Sequence, residues 1–339
     1  MKIPLSWISL YTPLEDLLEK QNIRSLAHIY STHTAEIDGI EEHTIDKVVV
    51  AKVISCEKHP DSKKLSIVVV DQGKYGTETI LTGASNIVDA KYVAVALVGA
   101  TLPGDFTISE RPMAGMMSRG MICGADEIGL TTTPSTGIMI LEEMWEESIL
   151  EKMLGESFFD LTLEIPGLAG SKFAYKLSDP TFEIDNKFIT NRPDLFSVVG
   201  NAREFHAVFG GTTHLESDFL TSEAKKSESL GGAKKLATQV ESKNCLAYHL
   251  LEMEDLSVSN TPFGMSLLME RAGLSVKMDL VDITNIMMTE YGQPMHVFDR
   301  DKIVGNIIVR QAKAGETLLA LNGSSYTLTP DDMVIADAN

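Results

Sequence analysis

Apolar and polar positions change their period several times along the chain. Leu14, Leu17, Leu18 and Leu26 recur at helical spacing, with Pro13 at a first-turn position and Thr12 ahead of it as a cap. That pattern predicts a helix over residues 13–30. From Lys47 the period shortens. Val48–Ile54, Leu65–Val70 and Tyr92–Leu97 are β-rich runs, punctuated by Gly73, Gly76, Gly83, Gly99 and Pro103–Gly104. Short strands with turn signals at this spacing predict a small β-barrel or sandwich over about 45–130. Glu142, Glu143, Glu146, Glu147, Glu151 and Glu156 follow, against Lys152 alone. They read as a solvated helix or linker that ends the barrel. Residues 158–185 return to strand-like alternation, and Ser197–Phe209 reads as a helix stopped by Gly210–Gly211. Residues 212–235 are rich in Ser, Thr, Gly, Lys and Glu and read as a linker. A third region begins near Val240, with a helix over about 262–272 and mixed strands after it.

Composition narrows the class. With 339 residues, 44% hydrophobic and 23% charged, the chain has material for two or three folded domains, each of ~100–150 residues. Lys and Arg total 29 against 48 Asp and Glu, a net charge of -19. Such a chain repels nucleic acid and anionic membrane as a whole, so any nucleic-acid role needs a local face. Between Lys47 and Leu130 there are 9 basic and 9 acidic residues, a difference of zero, so the barrel region is relatively basic. Cys56, Cys123 and Cys245 form no CxxC or Cys/His cluster, which argues against structural zinc and suits a reducing cytosol. The longest uncharged apolar stretch, Tyr92–Leu102, is short of the ~20 residues of a membrane helix. Pro4, Pro13, Glu15 and Asp16 interrupt the N-terminus, unlike a signal peptide. No GxxxxGK[ST] or GxGxxG follows a strand, so no ATP site is expected in this chain. The default expectation is a cytoplasmic protein.

The motifs sharpen this. KVISCEKHPDSKKLSIVVVD, ILTGASNI, VAVALVGATLPGDFTI and MAGMMSRGMICGADEIGL occur in order between Lys52 and Leu130. Together they resemble the EMAP-type tRNA-binding domain, an oligonucleotide-binding (OB) barrel. The flanks extend the likeness. MKIPLSWISLY and HTAEIDGIE before the barrel, FEIDNKFITNRPDLFSVVGNAREF at 182–205 and AGLSVKMDLVDITNIMMTEYGQPMHVFDRDKI at 272–303 resemble the bacterial phenylalanyl-tRNA synthetase β subunit. The resemblance runs in order through the tail IVRQAKAGETLLALNGSSYTLTPDDMVIADA. It implies an α+β multidomain chain. An EMAP-type OB-fold β-barrel (41–151) is inserted in a small, discontinuous α+β domain (1–40 plus 152–210). A linker (212–238) then leads to the first part of an α/β editing (B3/B4-type) domain (239–339). Family members are much longer, so the chain is expected to be a fragment or truncated product.

Candidate site residues follow. Lys58, His59, Lys63 and Lys64 are placed to meet phosphate, with Ser118 and Arg119 as loop donors; the alternative is ordinary solvated surface. Asn191, Arg192, Pro193 and Asp194 form a turn, in which Asp194 can cap the next helix and Pro193 fixes the entry. Arg192 reaching tRNA or a neighbouring subunit is the other reading. Thr284, Asn285 and His296 are candidates for the editing pocket; Asn285 and His296 match family pocket positions, and Pro294 bends the chain ahead of His296. Ser275 and Val276 stand where the family often has Arg-Pro.

The resemblance implies a role within an α₂β₂ heterotetramer that charges tRNA(Phe) using ATP and Mg²⁺, with aminoacylation in the α subunit. No catalytic residue for aminoacylation, no metal site and no bound cofactor is expected in this chain, and no ligase activity from it alone. Editing has a chemical reason. A pocket for phenylalanine rejects tyrosine, which merely adds a hydroxyl, by only about 10²-fold, so a second hydrolytic site is needed. Such a site needs an oriented water and hydrogen-bonding groups more than a protein nucleophile. Two alternatives stay open: a free-standing tRNA-binding module acting in trans, and a hydrolase of mischarged Tyr-tRNA.

Overall fold

The computed structural model describes residues 1–14, 17, 21–165, 173–213, 236–257, 260–277 and 279–338. The chain divides into two compact units, Met1–Leu220 with Asn260–Met295, and Thr221–Ser259 with His296–Asn339. This partition differs from the sequence-based one in placing 260–295 with the N-terminal part.

The first unit opens with β1 (Lys2–Pro4) and α1 (Leu5–Ser9), which buries Leu5, Trp7 and Ile8. Within the helix expected over 13–30, Leu17 is helical and Ile23–His33 forms α2; residues 15, 16 and 18–20 lie outside the described residues. Its cap is Asn22, whose side chain accepts from Ser25 N at 2.9 Å. The Thr12 hydroxyl donates to the carbonyl of Ala202 at 2.9 Å. β2 (Ile37–Glu41) then leads into the barrel.

The barrel is built from β3 (Val48–Lys58), β4 (Ser66–Asp71), β5 (Thr77–Thr82) and β6 (Tyr92–Ala96). Short pairs follow: β7 (Thr101–Leu102) with β8 (Phe106–Thr107), and β9 (Arg111–Met113) with β10 (Met116–Ser118), before β11 (Met121–Ile122). The main sheet runs β11-β6-β3-β4-β5. Two bonds draw its open edge in: Ser118 Oγ accepts from Leu81 N at 3.0 Å, and Arg119 N donates to Thr79 O at 3.0 Å. The sheet is thereby nearly closed.

β3 and β6 are apolar at successive positions for a reason. Val49, Ala51, Val93 and Val95 point into the barrel, beside Val68, Val70 and Ile80. Val48, Val50, Tyr92, Ala94 and Ala96 face the other way, into the main core of the unit. A strand buried on both faces reads as a continuous hydrophobic run.

After the barrel, the acidic stretch forms a short turn and α3 (Glu147–Lys152). β12 (Thr162–Ile165) pairs antiparallel with β13 (Phe173–Lys176). β14 (Thr181–Ile184) returns to lie between β1 and β2, antiparallel to both. Sequence-distant segments on either side of the barrel thus share one sheet. α4 (Val198–Phe209) follows, with Phe205 stacked on Tyr30 at 4.6 Å between ring centroids. The Tyr30 hydroxyl donates to Asn201 Oδ1 at 2.7 Å, and Asn201 Nδ2 donates to Leu195 O and Ser197 O, both at 2.7 Å.

α5 (Phe263–Arg271) and α6 (Leu280–Tyr291) complete this unit. The mixed strands expected after residue 272 begin only later. β-branched Val281, Ile283 and Thr284 favour strand locally, but the caps decide. Asp279 accepts from Val281 N at 2.7 Å, and Gly292 ends the helix in the left-handed region at φ 74°. Arg271, at the end of α5, is 5% exposed, lies 5.2 Å over the Tyr175 ring and donates to the carbonyl of Leu177. Nearby, buried Asp179 accepts from Ser6 N at 3.0 Å and from Ser6 Oγ at 2.6 Å. Glu290, also buried, accepts from the Tyr11 hydroxyl at 2.5 Å.

The second unit holds a sheet of β15 (Thr238–Val240), parallel to β16 (Ile307–Gln311), which pairs antiparallel with β19 (Met333–Ala336). Between the last two lies the hairpin of β17 (Thr317–Leu319) and β18 (Ser325–Thr327). The linker expected over 212–235 falls, from residue 214, outside the described residues. Among the described residues no helix is long and apolar enough to cross a membrane.

Candidate nucleic-acid interface

The segment His59–Leu65 connects β3 to β4 as a tight loop. His59 N donates to Leu65 O at 3.0 Å, closing its base. Asp61 N donates to His59 Nδ1 at 3.1 Å. The imidazole is only 4% exposed. His59 therefore shapes the loop from inside rather than meeting solvent.

Lys58, at the end of β3, and Lys63 and Lys64 on this loop are exposed, and among the described residues none forms an ion pair. Lys58 makes only a long contact, 3.4 Å, with Ser66 Oγ. The other expected donors are engaged. Ser118 is 4% exposed and closes the barrel through Leu81 N. Arg119 is exposed but lies 3.6 Å from Glu78 and 3.4 Å from Glu110.

Three of the barrel's four remaining lysines are paired; the fourth, Lys47, is exposed and among the described residues forms no ion pair. Lys52 pairs with Glu151 at 3.0 Å, Lys74 with Glu156 at 2.7 Å and Lys91 with Glu147 at 2.6 Å. Glu142 also accepts from Lys91 N at 2.6 Å and Tyr92 N at 3.1 Å. The acidic stretch is thus a counter-charge laid along one side of the barrel, not merely a solvated run. Sequence reasoning saw the glutamates and the lysines but not their pairing, which links residues about a hundred positions or fewer apart. The result is charge segregation: one flank neutralised, one loop left positive.

The other candidates sort as follows. Arg192 forms two bonds to Asp194, at 3.0 and 2.8 Å, and one to Glu204 at 2.9 Å. Asp194 does not cap α4; that position belongs to Ser197, whose Oγ accepts from Gly200 N at 2.9 Å. Pro193 opens the short helical turn before it, and Asn191 is exposed. Thr284 and Asn285 sit on α6 in the first unit. The Thr284 hydroxyl donates to Val281 O at 2.8 Å, within its own helix, and Asn285 is half-buried. His296 belongs to the second unit, exposed, with its ring 6.2 Å from that of Phe298. Among the described residues no His, Cys, Asp and Glu cluster suited to a metal ion occurs.

Known proteins now bear on this geometry. A family described as "Putative tRNA binding domain" matches residues 48–147, the barrel with its acidic flank. A second, described as "B3/4 domain", matches 244–339. Phenylalanine–tRNA ligase β subunits match end to end. That of Neisseria meningitidis serogroup A is 32% identical over 340 residues, and that of Latilactobacillus sakei 31% over 345. These alignments cover 99% and 100% of this chain. The chain belongs to the phenylalanine–tRNA ligase β-subunit family and corresponds to its N-terminal portion. It spans about two fifths of the relatives' length, 39% and 40% respectively. Among solved structures, the C-terminal domain of Plasmodium vivax p43 is 25% identical and covers 24% of this chain and 45% of its own, with a TM-score of 0.19, too low to speak to the fold.

Proposed function

We propose that the chain supplies a tRNA-binding barrel and part of an editing domain to a phenylalanine–tRNA ligase. In this reading the barrel has the EMAP-type OB arrangement, inserted between residues 1–40 and 152–210. The editing part begins near 239. The holoenzyme is an α₂β₂ heterotetramer in the cytoplasm, which joins phenylalanine to tRNA(Phe). ATP and Mg²⁺ act in the α subunit.

The observation that carries the RNA reading is the segregation of charge. In a chain of net charge -19, Lys58 at the end of β3 and Lys63 and Lys64 on the loop after it form no ion pair among the described residues, in a domain matched to a tRNA-binding family. Phosphate contacts of this kind give affinity that falls with salt, each neutralised phosphate adding about 0.9 to the log–log slope on a duplex. The test is tRNA binding by the full chain at several salt concentrations. Lys63→Glu with Lys64→Glu should weaken binding at least about tenfold and flatten the slope by about two. Unchanged binding removes this loop from the interface. Absence of any tRNA binding by the native chain removes the RNA role and leaves a structural one.

The match to a B3/4 domain favours an editing contribution from the same chain. Thr284, Asn285 and His296 are the residues assigned to it. Hydrolysis of Tyr-tRNA by the assembled holoenzyme, native against His296→Ala, tests the assignment. Equal deacylation rates remove His296 from the pocket.

A further inference from the structure

A cavity of about 440 Å³ opens on the barrel beside β5 and the β8–β9 region. Its floor is apolar, with Ile108 and Met121 among the lining residues. Its lining carries both signs of charge. Arg111 lines it, its guanidinium 5.2 Å over the ring of Phe106, another lining residue, which is 41% exposed. Among the described residues Arg111 has no carboxylate partner. Asp126 and Glu127 also line the cavity. The Glu127 carboxylate accepts from Gly124 N at 2.7 Å; the Asp126 backbone N donates to Ser135 Oγ at 3.2 Å, and among the described residues Asp126 Oδ1 is buried with no hydrogen-bond partner. Hydrogen bonding from Ser135 keeps the Asp126 carboxyl below the ordinary carboxylate range, hence ionised.

The cavity is continuous with the free lysine loop. Ser66 on β4 is the register partner of Thr82 on β5, so Lys63 and Lys64 lie at the same end of the sheet as Gly83. Thr82 and Gly83 line the cavity, and a Cβ at Gly83 would stand 3.9 Å from the backbone oxygen of Lys64. A phosphate backbone following the lysines therefore arrives at the cavity mouth.

We propose that this cavity receives one unpaired nucleotide of the RNA strand, selecting bases that carry an exocyclic amino group over uracil. The proposal rests on the RNA-binding reading above and adds a base-selective subsite to it. The base stacks on the Phe106–Arg111 pair, as exposed aromatic rings and guanidinium planes do in single-strand binders. Its amino group donates to the Asp126 carboxylate, an acceptor suited to cytosine N4. Uracil presents a carbonyl oxygen where cytosine presents that amine, so two electron-rich oxygens face each other. Arg111 is placed toward the phosphate or ribose side.

The experiment uses the full chain with short fluorescein-labelled oligocytidine, oligouridine and, in parallel, tRNA. Binding is read by anisotropy, and thermal melting checks each variant's fold. Native protein should bind oligocytidine about tenfold more tightly than oligouridine, the scale of one well-placed base contact. Asp126→Asn, whose amide can present either a donor or an acceptor, should bring the ratio near one. Phe106→Ala should weaken both oligonucleotides at least about fivefold, as loss of one stacking partner does. Equal native affinity for the two oligonucleotides overturns the subsite. So does a ratio unmoved by Asp126→Asn or, should that variant fail to fold, oligonucleotide affinities unmoved by Phe106→Ala. If tRNA binding persists and depends on Lys63 and Lys64 while the ratio is one, the subsite alone fails. If native chain binds no tRNA, the RNA reading fails with it.

Discussion

Gly200 sets its bare Cα against the backbone carbonyl of Asp194. A Cβ added there would overlap the carbonyl oxygen and stand 2.5 Å from its carbon. The same carbonyl accepts from Ser197 Oγ at 2.7 Å, and that oxygen accepts from Gly200 N. The Asn191–Asp194 turn is thus clamped onto the first turn of α4. Gly200→Ala should destabilise the chain by about 1–3 kcal/mol through overpacking at an unyielding backbone site. Ser197→Ala should cost about 1 kcal/mol as a lost cap. Urea unfolding measures both, and a Gly200→Ala midpoint equal to native would contradict the clamp.

Ser118 separates a structural role from an RNA-binding one. Its hydroxyl accepts from the buried Leu81 N. Ser118→Ala leaves that donor unsatisfied, at a cost of about 1–3 kcal/mol. Affinity for tRNA at a temperature where the variant is folded should not change. A selective loss of RNA binding with native stability would return Ser118 to the interface.

The glutamates flanking the barrel should restrain RNA binding. Glu147→Gln, Glu151→Gln and Glu156→Gln together free Lys91, Lys52 and Lys74 from their partners. Exposed ion pairs contribute little to stability, so the fold should be nearly unaffected. Affinity for tRNA should rise several-fold and its salt dependence should steepen, in proportion to the new phosphate contacts. Identical salt slopes for native and variant chains would show that this flank faces away from the RNA.

Two buried groups near Arg271 give opposing pH dependences. Burial pushes Asp179 up from 3.8 to about 7, with Ser6 and Arg271 acting against the rise. The folded chain keeps a proton there that the unfolded chain releases, so this contribution is full below about pH 4 and lost as pH rises towards 7. Burial, with Arg271 and Lys2 in the same sense and Glu41 opposing, lowers His43 from 6.5 to about 4. The folded chain refuses a proton that the unfolded chain takes up, so its contribution is present above pH 6.5 and lost on descending to 4. Asp179→Asn should therefore make stability climb more steeply from pH 4 to 7, and His43→Gln should make it fall. Urea midpoints across that range are the measurement; parallel profiles for the two variants would contradict the assignment.

The parts of the fold legible in sequence are those where local signals agree with burial. The barrel strands and α4 have clear apolar runs and stop signals, so their positions follow the pattern, although the cap of α4 is Ser197 and not Asp194. α6 was harder to read because β-branched Val281 and Ile283 pull one way and the Asp279 and Gly292 caps the other. At the candidate interface, Lys58, Lys63 and Lys64 were visible as charges at a recognisable loop. That His59 and Ser118 turn inward was not, because burial depends on which strand end closes over them. Likewise the pairing of Lys52, Lys74 and Lys91 depends on where α3 docks, which is a tertiary fact. Phe106 and Asp126 belong to separate motif blocks, with Arg111 between the blocks, and they line one cavity only in the folded barrel.

β14 completes the sheet between β1 and β2, with Lys2 opposite Glu183. During synthesis, some 140 residues separate the end of β2 from the start of β14. At ordinary elongation rates that interval is on the order of ten seconds. Through it, the first two strands wait on the ribosome without the neighbour that pairs them both. The lone strand edges of the nascent N-terminus are a natural point for a chaperone to act, and a long stall in translating the barrel would prolong that exposure.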